Sequence, residues 1–190
     1  MKKTTFDLLD ATISKKYDSN LASSVEIRER FFTEKFWLDS PNWEKYGKEL
    51  ESVPFNWQEF KYTDVGVGNQ LKDIILSDDS GVYMFIVKPS IQIFDMPKFV
   101  LYVGIAGENN SNRPLKKRLE DYFKIESIKK RDAIIRMLEK YYQTTYVAYS
   151  CLSLSTLELK KIETSLIGFF YPLCNKDDFP IELKPVKKAF

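Results

Sequence analysis

From Val82 onward the chain replaces scattered apolar positions with short continuous apolar runs. Val82-Tyr83-Met84-Phe85-Ile86-Val87 and Val100-Leu101-Tyr102-Val103-Gly104-Ile105 have the length and the β-branched and aromatic content of buried strands. The turn signal Asp78-Asp79-Ser80-Gly81 precedes the first run, and Pro89 to Lys98 joins the two. After a polar loop from Glu108 to Pro114 the period becomes helical. Leu115, Leu119, Tyr122 and Phe123 fall on one face, and Ile128, Ile134, Ile135, Leu138 and Tyr141 mark a second helix. Thr145 to Leu152 predicts a third strand. Ser155 and Glu158 form a capping box that opens a helix with Leu159, Ile162, Leu166 and Phe169/Phe170 on one side, and Pro172 stops it. The tail beyond Asn175, with Pro180 and Pro185, is expected to be irregular.

Residues 1–75 carry a different pattern and are expected to form an N-terminal helical extension of two or three helices. Ser23 and Glu26 offer a capping box before Ile27, Phe31 and Trp37. Ser40-Pro41 reads as an N-cap followed by proline at the first helical position, opening a helix over Trp43 to Leu50. Pro54, Gly66 and Gly68 punctuate the stretch beyond that helix. Residues 76–190 then read β-β-α-α-β-α. The expected fold class is α+β: a small three-stranded, mixed or antiparallel sheet flanked by helices, its first two strands an antiparallel pair.

Composition narrows the chemistry. The 190 residues are 44% hydrophobic and 15% aromatic, ample for a core. There is no histidine, which excludes Ser-His-Asp and Cys-His catalysis, His-ligated zinc and a histidine general base. Proton transfer is left to carboxylates, Lys, Tyr, Cys or metal-bound water. Cys151 and Cys174 fit no zinc spacing and read as partly buried thiols of a reducing cytosol. No signal-peptide pattern is visible, and no apolar run nears the roughly 18 residues that span a bilayer. A cytoplasmic protein without a membrane partner is expected.

The net charge of +2 decides nothing, but its distribution is uneven. Arg113 to Lys161 holds twelve Lys/Arg against six Asp/Glu. Such an excess suits phosphate contacts, with Lys116, Lys117, Lys129 and Lys130 as candidates. For any one lysine, an ordinary solvated helix face explains it equally well.

Two charged residues sit where a helix should be apolar. Glu163 lies among Leu159, Ile162, Leu166 and Ile167, where a carboxylate is costly unless it meets a cation. Arg118 shares a helix face with Tyr122, four residues on. Taken singly, a structural ion pair and a solvated basic face are the simpler readings. Tyr83 and Tyr102 within strands are ordinarily packing residues. Gly104 marks a bulge or a place where another group approaches the backbone.

Together, Gly81-Val82-Tyr83, Tyr102-Val103-Gly104, Leu115-Lys116-Lys117-Arg118-Leu119, Ile162-Glu163 and Asn175 resemble the GIY-YIG nuclease family over roughly residues 77–175. Leu115 to Phe123 is similar to the excision-repair incision nucleases of that family. Those members carry Lys after the second tripeptide, where this chain has Ile105, and Tyr122 stands where other members place histidine. The longer connections are more like the restriction-type members.

The resemblance implies a metal-dependent endonuclease hydrolysing DNA phosphodiester bonds at a single Mg²⁺ or Mn²⁺. Glu163 would be the sole protein ligand of the metal, and Arg118 would neutralise charge on the phosphate. Tyr83 or Tyr102 would accept the proton of the attacking water. Tyr122 would contact phosphate or water, and Asn175 would hold the site's geometry or a phosphate. The alternatives are a catalytically inactive nucleic-acid-binding or scaffold protein of the same fold, and a structural domain in which Glu163 and Arg118 simply pair. The oligomeric state stays open, a homodimer included.

Overall fold

The computed structural model describes residues 39–65, 71, 79–89, 91, 98–107, 113–176 and 178–189. The capping box at Ser23 and Glu26 with its expected helix, Gly66, Gly68, Asp78 and the loop residues 108–112 lie outside them.

The elements, in chain order, are α1 (Ser40–Glu51), β1 (Gln58–Lys61), β2 (Gly81–Val87), β3 (Phe99–Ala106), α2 (Leu115–Glu120), α3 (Ile125–Ile128), α4 (Asp132–Tyr141), β4 (Thr145–Cys151), α5 (Thr156–Phe170) and α6 (Lys184–Ala189). The strands form one sheet in the order β1-β4-β2-β3, every neighbouring pair antiparallel.

Among the described residues the sheet has four strands, not three, and every pair is antiparallel. The extra strand, β1, comes from the segment read as helical extension and pairs with β4 from Gln58↔Tyr149 to Lys61↔Tyr146. It is a four-residue edge strand in which Phe60 is buried while Gln58 and Glu59 are exposed. A piece so short, with one inward residue, carries too little alternation to stand out as a strand.

β2 is the centre. Hydrogen-bonded to β3 on one side and β4 on the other, it is buried on both faces. Strand side chains alternate in direction, so its residues divide between two layers. Tyr83 and Phe85 join Leu115, Leu119, Tyr122, Ile134 and Leu138 in one core. Val82, Met84 and Ile86 join Tyr46, Leu159, Ile162, Leu166 and Ile167 in the other. The sheet therefore separates α2 to α4 from α1 and α5.

Other expectations meet the structure in detail. The second helix is broken into α3 and α4 by a turn at Lys129 and Lys130. The capping box of α5 is complete: Glu158 N–H donates to Ser155 Oγ at 3.4 Å, and Ser155 N–H to Glu158 Oε2 at 2.9 Å. The cap of α1 is Asp39 rather than Ser40, so the Ser-Pro signal is displaced by one residue. The tail is not irregular: a 3-10 turn, Ile181–Leu183, leads into α6. Pro185 sits in the first turn of α6, where its missing N–H breaks no helical bond.

α1 and α5 touch closely through Gly168. A Cβ added there would come within 2.4 Å of the Tyr46 ring, itself 3% exposed. Tyr46 also donates from its hydroxyl to Glu182 Oε1 at 2.7 Å, so its ring is held at both ends. Gly168→Ala should lower stability by about 1–3 kcal/mol through overpacking. Urea denaturation followed by tryptophan fluorescence would read this, and an unchanged midpoint would show that Tyr46 can move aside.

Candidate active site

Tyr83 stands opposite Gly104 in the β2–β3 ladder. The phenol lies across the glycine: an added Cβ would sit 2.6 Å from both the Tyr83 ring carbon Cζ and its oxygen. Gly104 is thus the place of close approach that a glycine within a strand signals, and the approaching group is a candidate site residue. The register slips between Phe85 and Ile86, passing over Leu101. Both Leu101 and Tyr102 consequently join the core on Tyr83's face, which is how a bulge re-aims a side chain.

α2 brings the remaining members. Leu115 and Leu119 anchor it, and Tyr122 comes next in a 3-10 turn, Asp121–Phe123. The hydroxyls of Tyr83 and Tyr122 lie 2.8 Å apart. The rings of Tyr83, Tyr102 and Tyr122 form a triangle with centroid separations of 5.7, 6.1 and 6.1 Å. Tyr83 and Tyr122 are fully buried, and Tyr102 is half-buried at the rim.

Arg118 is half-buried against this triangle. Burial opposes its charge, yet the surrounding phenols prevail: its coupling and hydrogen bond to Tyr83, with Tyr122 and Tyr102 beyond, raise its pKa above the ordinary arginine value. Its Nε is buried and has no hydrogen-bond partner. Among the described residues Arg118 pairs with no carboxylate. Burial, with Tyr83 adding to it, pushes the Tyr102 phenol up despite a hydrogen bond with Tyr122 and the two nearby arginines, Arg131 and Arg118. Tyr122 is likewise pushed well up, chiefly by burial and by Tyr83 and Tyr102. Both therefore hold their protons at neutral and mildly alkaline pH.

Asn175 is 2% exposed, and both ends of its amide are engaged by one residue. Val103 N–H donates to Asn175 Oδ1 and Asn175 Nδ2 donates to the Val103 carbonyl, each at 2.9 Å. With Cys174 N–H on the Leu101 carbonyl at 2.8 Å, this segment closes the free edge of β3 on either side of Tyr102. Asn175 thus clamps the β3 backbone beside Tyr102. Glu163 is half-buried on α5, next to Ile162, whose side chain belongs to the other core layer. Lys116 is half-buried, whereas Lys117, Lys129 and Lys130 are exposed.

Two residues at the site escaped the sequence reading. Arg131, just before α4, places its guanidinium carbon 4.2 Å from the centroid of the Tyr122 ring, a cation–π contact. Its only trace in the sequence is the run Lys129-Lys130-Arg131, with no spacing that links it to Tyr122. Tyr62, fully buried just after β1, donates from its hydroxyl to the Tyr122 carbonyl at 2.7 Å and stacks on Phe123 at 4.6 Å. The alternation of Phe60 and Tyr62 was the available signal.

Comparison with models of known protein families, with curated proteins and with solved structures gives no match. Any functional reading therefore rests on the residues and their geometry.

The buried phenols make stability depend on pH. Tyr102 and Tyr122 keep in the native state protons that an unfolded chain releases near pH ~10. The native state is thus fully favoured below that pH and loses the advantage as pH rises towards the raised native values. Urea midpoints measured from neutral to alkaline pH should fall above pH ~10, and less steeply in Tyr102→Phe. An equal decline in both would remove Tyr102 burial as a cause. The support beneath Tyr122 is open to a separate test. Tyr62→Phe leaves the buried Tyr122 carbonyl without this donor and should cost about 1–3 kcal/mol. Equilibrium unfolding checks this, and a change below ~0.5 kcal/mol would mean the carbonyl finds another donor.

Proposed function

We propose that this chain is a GIY-YIG-type endonuclease that hydrolyses DNA phosphodiester bonds with a divalent metal, Mg²⁺ or Mn²⁺. The observation that carries the reading is Arg118. A half-buried guanidinium surrounded by phenols, its buried Nε without a hydrogen-bond partner, keeps a positive charge that no carboxylate among the described residues cancels. Phenols stabilise it as dipoles without cancelling it. An anion supplied from outside completes the arrangement, and a phosphate matches a guanidinium in charge and donor geometry. The purely structural reading, with Arg118 paired to Glu163, is disfavoured because Arg118 makes no salt bridge among the described residues.

The metal fits the donor set in kind. Glu163 offers a half-buried carboxylate, a hard oxygen donor of the sort Mg²⁺ takes singly while keeping its waters. Among the described residues no group of three or more His, Cys, Asp or Glu gathers, so a site with several protein ligands has no support there. Bound at Glu163, the ion would supply Lewis-acid stabilisation of the phosphate and the leaving oxygen.

The remaining work falls to the chain itself. Arg118 binds a non-bridging phosphate oxygen and neutralises the charge that grows on it. Tyr83 or Tyr102 takes up the proton of the attacking water, and Arg118, which lies against the triangle both belong to, offsets the negative charge that results. The other strand tyrosine and Tyr122, as neutral phenols, donate hydrogen bonds that orient water or phosphate. Asn175 and Gly104 act on geometry, the first by clamping β3 and the second by leaving room for Tyr83.

Purified protein with Mg²⁺ or Mn²⁺ should nick or linearise supercoiled plasmid, and EDTA or Glu163→Gln should abolish the cleavage. Arg118→Ala should slow it by about 100- to 1,000-fold, as loss of a charge-stabilising donor does. Absence of cleavage by the folded wild type on plasmid, branched and single-stranded DNA would overturn the enzyme in favour of a binding protein of the same fold.

A further inference from the structure

The basic residues between Arg113 and Lys161 are not equivalent once the chain is folded. Arg113 pairs with Asp121 and Lys124 with Glu120, so those charges are locally spent. Lys160 and Lys161 are exposed on α5 and line neither of the hollows described next. Lys130, Arg131, Arg136 and Lys176 differ from both sets: among the described residues they form no salt bridge, and they line one surface feature.

A hollow of about 260 Å³ opens at Tyr102, between the start of α4 and residues Cys174, Asn175, Lys176 and Asp178, with Lys130, Arg131 and Lys176 on its walls. It adjoins a second hollow of about 170 Å³, and the two share Ala133 and Cys174 as lining. Arg136 and Lys140 line the second. Ala133, Met137 and Tyr141 recur every four residues on α4, with Arg136 and Lys140 one position before the last two, so a single side of the helix faces this continuous trough. Among its described lining residues, Lys130, Arg131, Arg136, Lys140 and Lys176 are cations and Asp132 and Asp178 are carboxylates.

We propose that this trough carries the sugar–phosphate backbone of the DNA strand on one side of the scissile phosphate. The inference rests on the nuclease reading and extends it from one phosphate to the path of the strand. Continuity selects the occupant. Tyr102 belongs to the tyrosine triangle and also lines the trough, and Arg131 lies against Tyr122 while forming part of the trough wall. A polymer held at Arg118 therefore runs directly into it.

The dimensions and lining agree with a nucleic-acid strand. α4 has 10 residues, which at ~1.5 Å per residue gives a wall of about 15 Å, room for a few phosphates at ~3.4 Å of axial rise per strand. Leu101, Met137 and Leu173 give the second hollow an apolar floor for deoxyribose, with Arg136 and Lys140 beside it for phosphates. Lys116 and Lys117, on α2, do not line either hollow.

The test measures binding of the full-length protein to a short labelled DNA duplex by fluorescence anisotropy over a range of salt concentrations, with EDTA present to prevent cleavage. Arg136→Ala/Lys176→Ala removes one exposed cation from each wall. Lys184→Ala/Lys188→Ala removes the same charge from α6, where both lysines are exposed and line neither hollow. The trough variant should bind more weakly, and its plot of log affinity against log salt should be shallower by about 0.9 for each phosphate no longer neutralised, close to two units in all. The α6 variant should keep nearly the wild-type slope.

Unchanged affinity and slope in the trough variant, with wild type binding normally, would overturn the trough alone. An equal fall in both variants would overturn it too, showing an effect of net charge. Wild type that fails to bind at low salt would overturn the trough together with the DNA reading beneath it. Thermal melts of each variant confirm that the fold is intact, and Arg136→Glu alone, which should weaken binding further than Arg136→Ala, provides a second reading at one exposed position.

Discussion

The burial of β2 on both faces and both edges is the constraint on which the rest of the structure depends. Its backbone is hydrogen-bonded to β3 and β4, so each of its side chains must enter one of two packed layers. A strand in that position tolerates few unsatisfied polar groups. The consequence is that neighbours in the chain serve different layers. Tyr83 and Phe85 build the layer beneath α2 and α4, while Val82, Met84 and Ile86 build the layer against α1 and α5. A tyrosine oxygen placed from such a strand is held by the sheet rather than by a loop, which is the kind of support a precise site requires.

Around that oxygen the protein accepts two costs. It gives up a side chain at Gly104 so that the phenol can lie over β3, and it half-buries the Arg118 guanidinium among phenols, with no carboxylate partner among the described residues. Phenols are good company for a cation: their oxygens accept and their rings attract, as Arg131 over Tyr122 also shows. Because they carry no charge, the field of the arginines remains available to an anionic ligand. The same burial that protects this arrangement raises the phenols of Tyr102 and Tyr122 and leaves them as donors.

The edges of the sheet are closed by segments distant in sequence, and these segments also fix the site. Asn175 and Cys174 satisfy the outer edge of β3 at Val103 and Leu101, bracketing Tyr102. At the other edge β1 pairs with β4, and the chain just beyond it sends Tyr62 through the core to the carbonyl of Tyr122. The segment preceding the sequence motifs is therefore part of the sheet and of the support beneath one of the candidate site residues.

Much of this was legible in the sequence because it is local. The runs at 82–87 and 100–105, the capping box at Ser155 and Glu158, the Arg118–Tyr122 spacing and the lone glycine at 104 are periodicity, capping and backbone signals that depend on near neighbours alone. They were enough to predict β2, β3, β4 and α5, whereas Tyr83, Tyr102 and Arg118, which the fold brings together, stood out only as members of a set that resembles a nuclease family. Contacts between distant segments were decided only by the tertiary structure. β1 has one inward residue and exists as a strand because β4 offers it an edge. Arg131 meets Tyr122 because a turn at Lys129 and Lys130 folds α4 back. Asn175 became a backbone clamp because β3 lies at the border of the sheet. Which lysines share a trough with the tyrosines depends in the same way on how α4 docks, since charge along a chain carries no information about which surface it will face until the helices are packed.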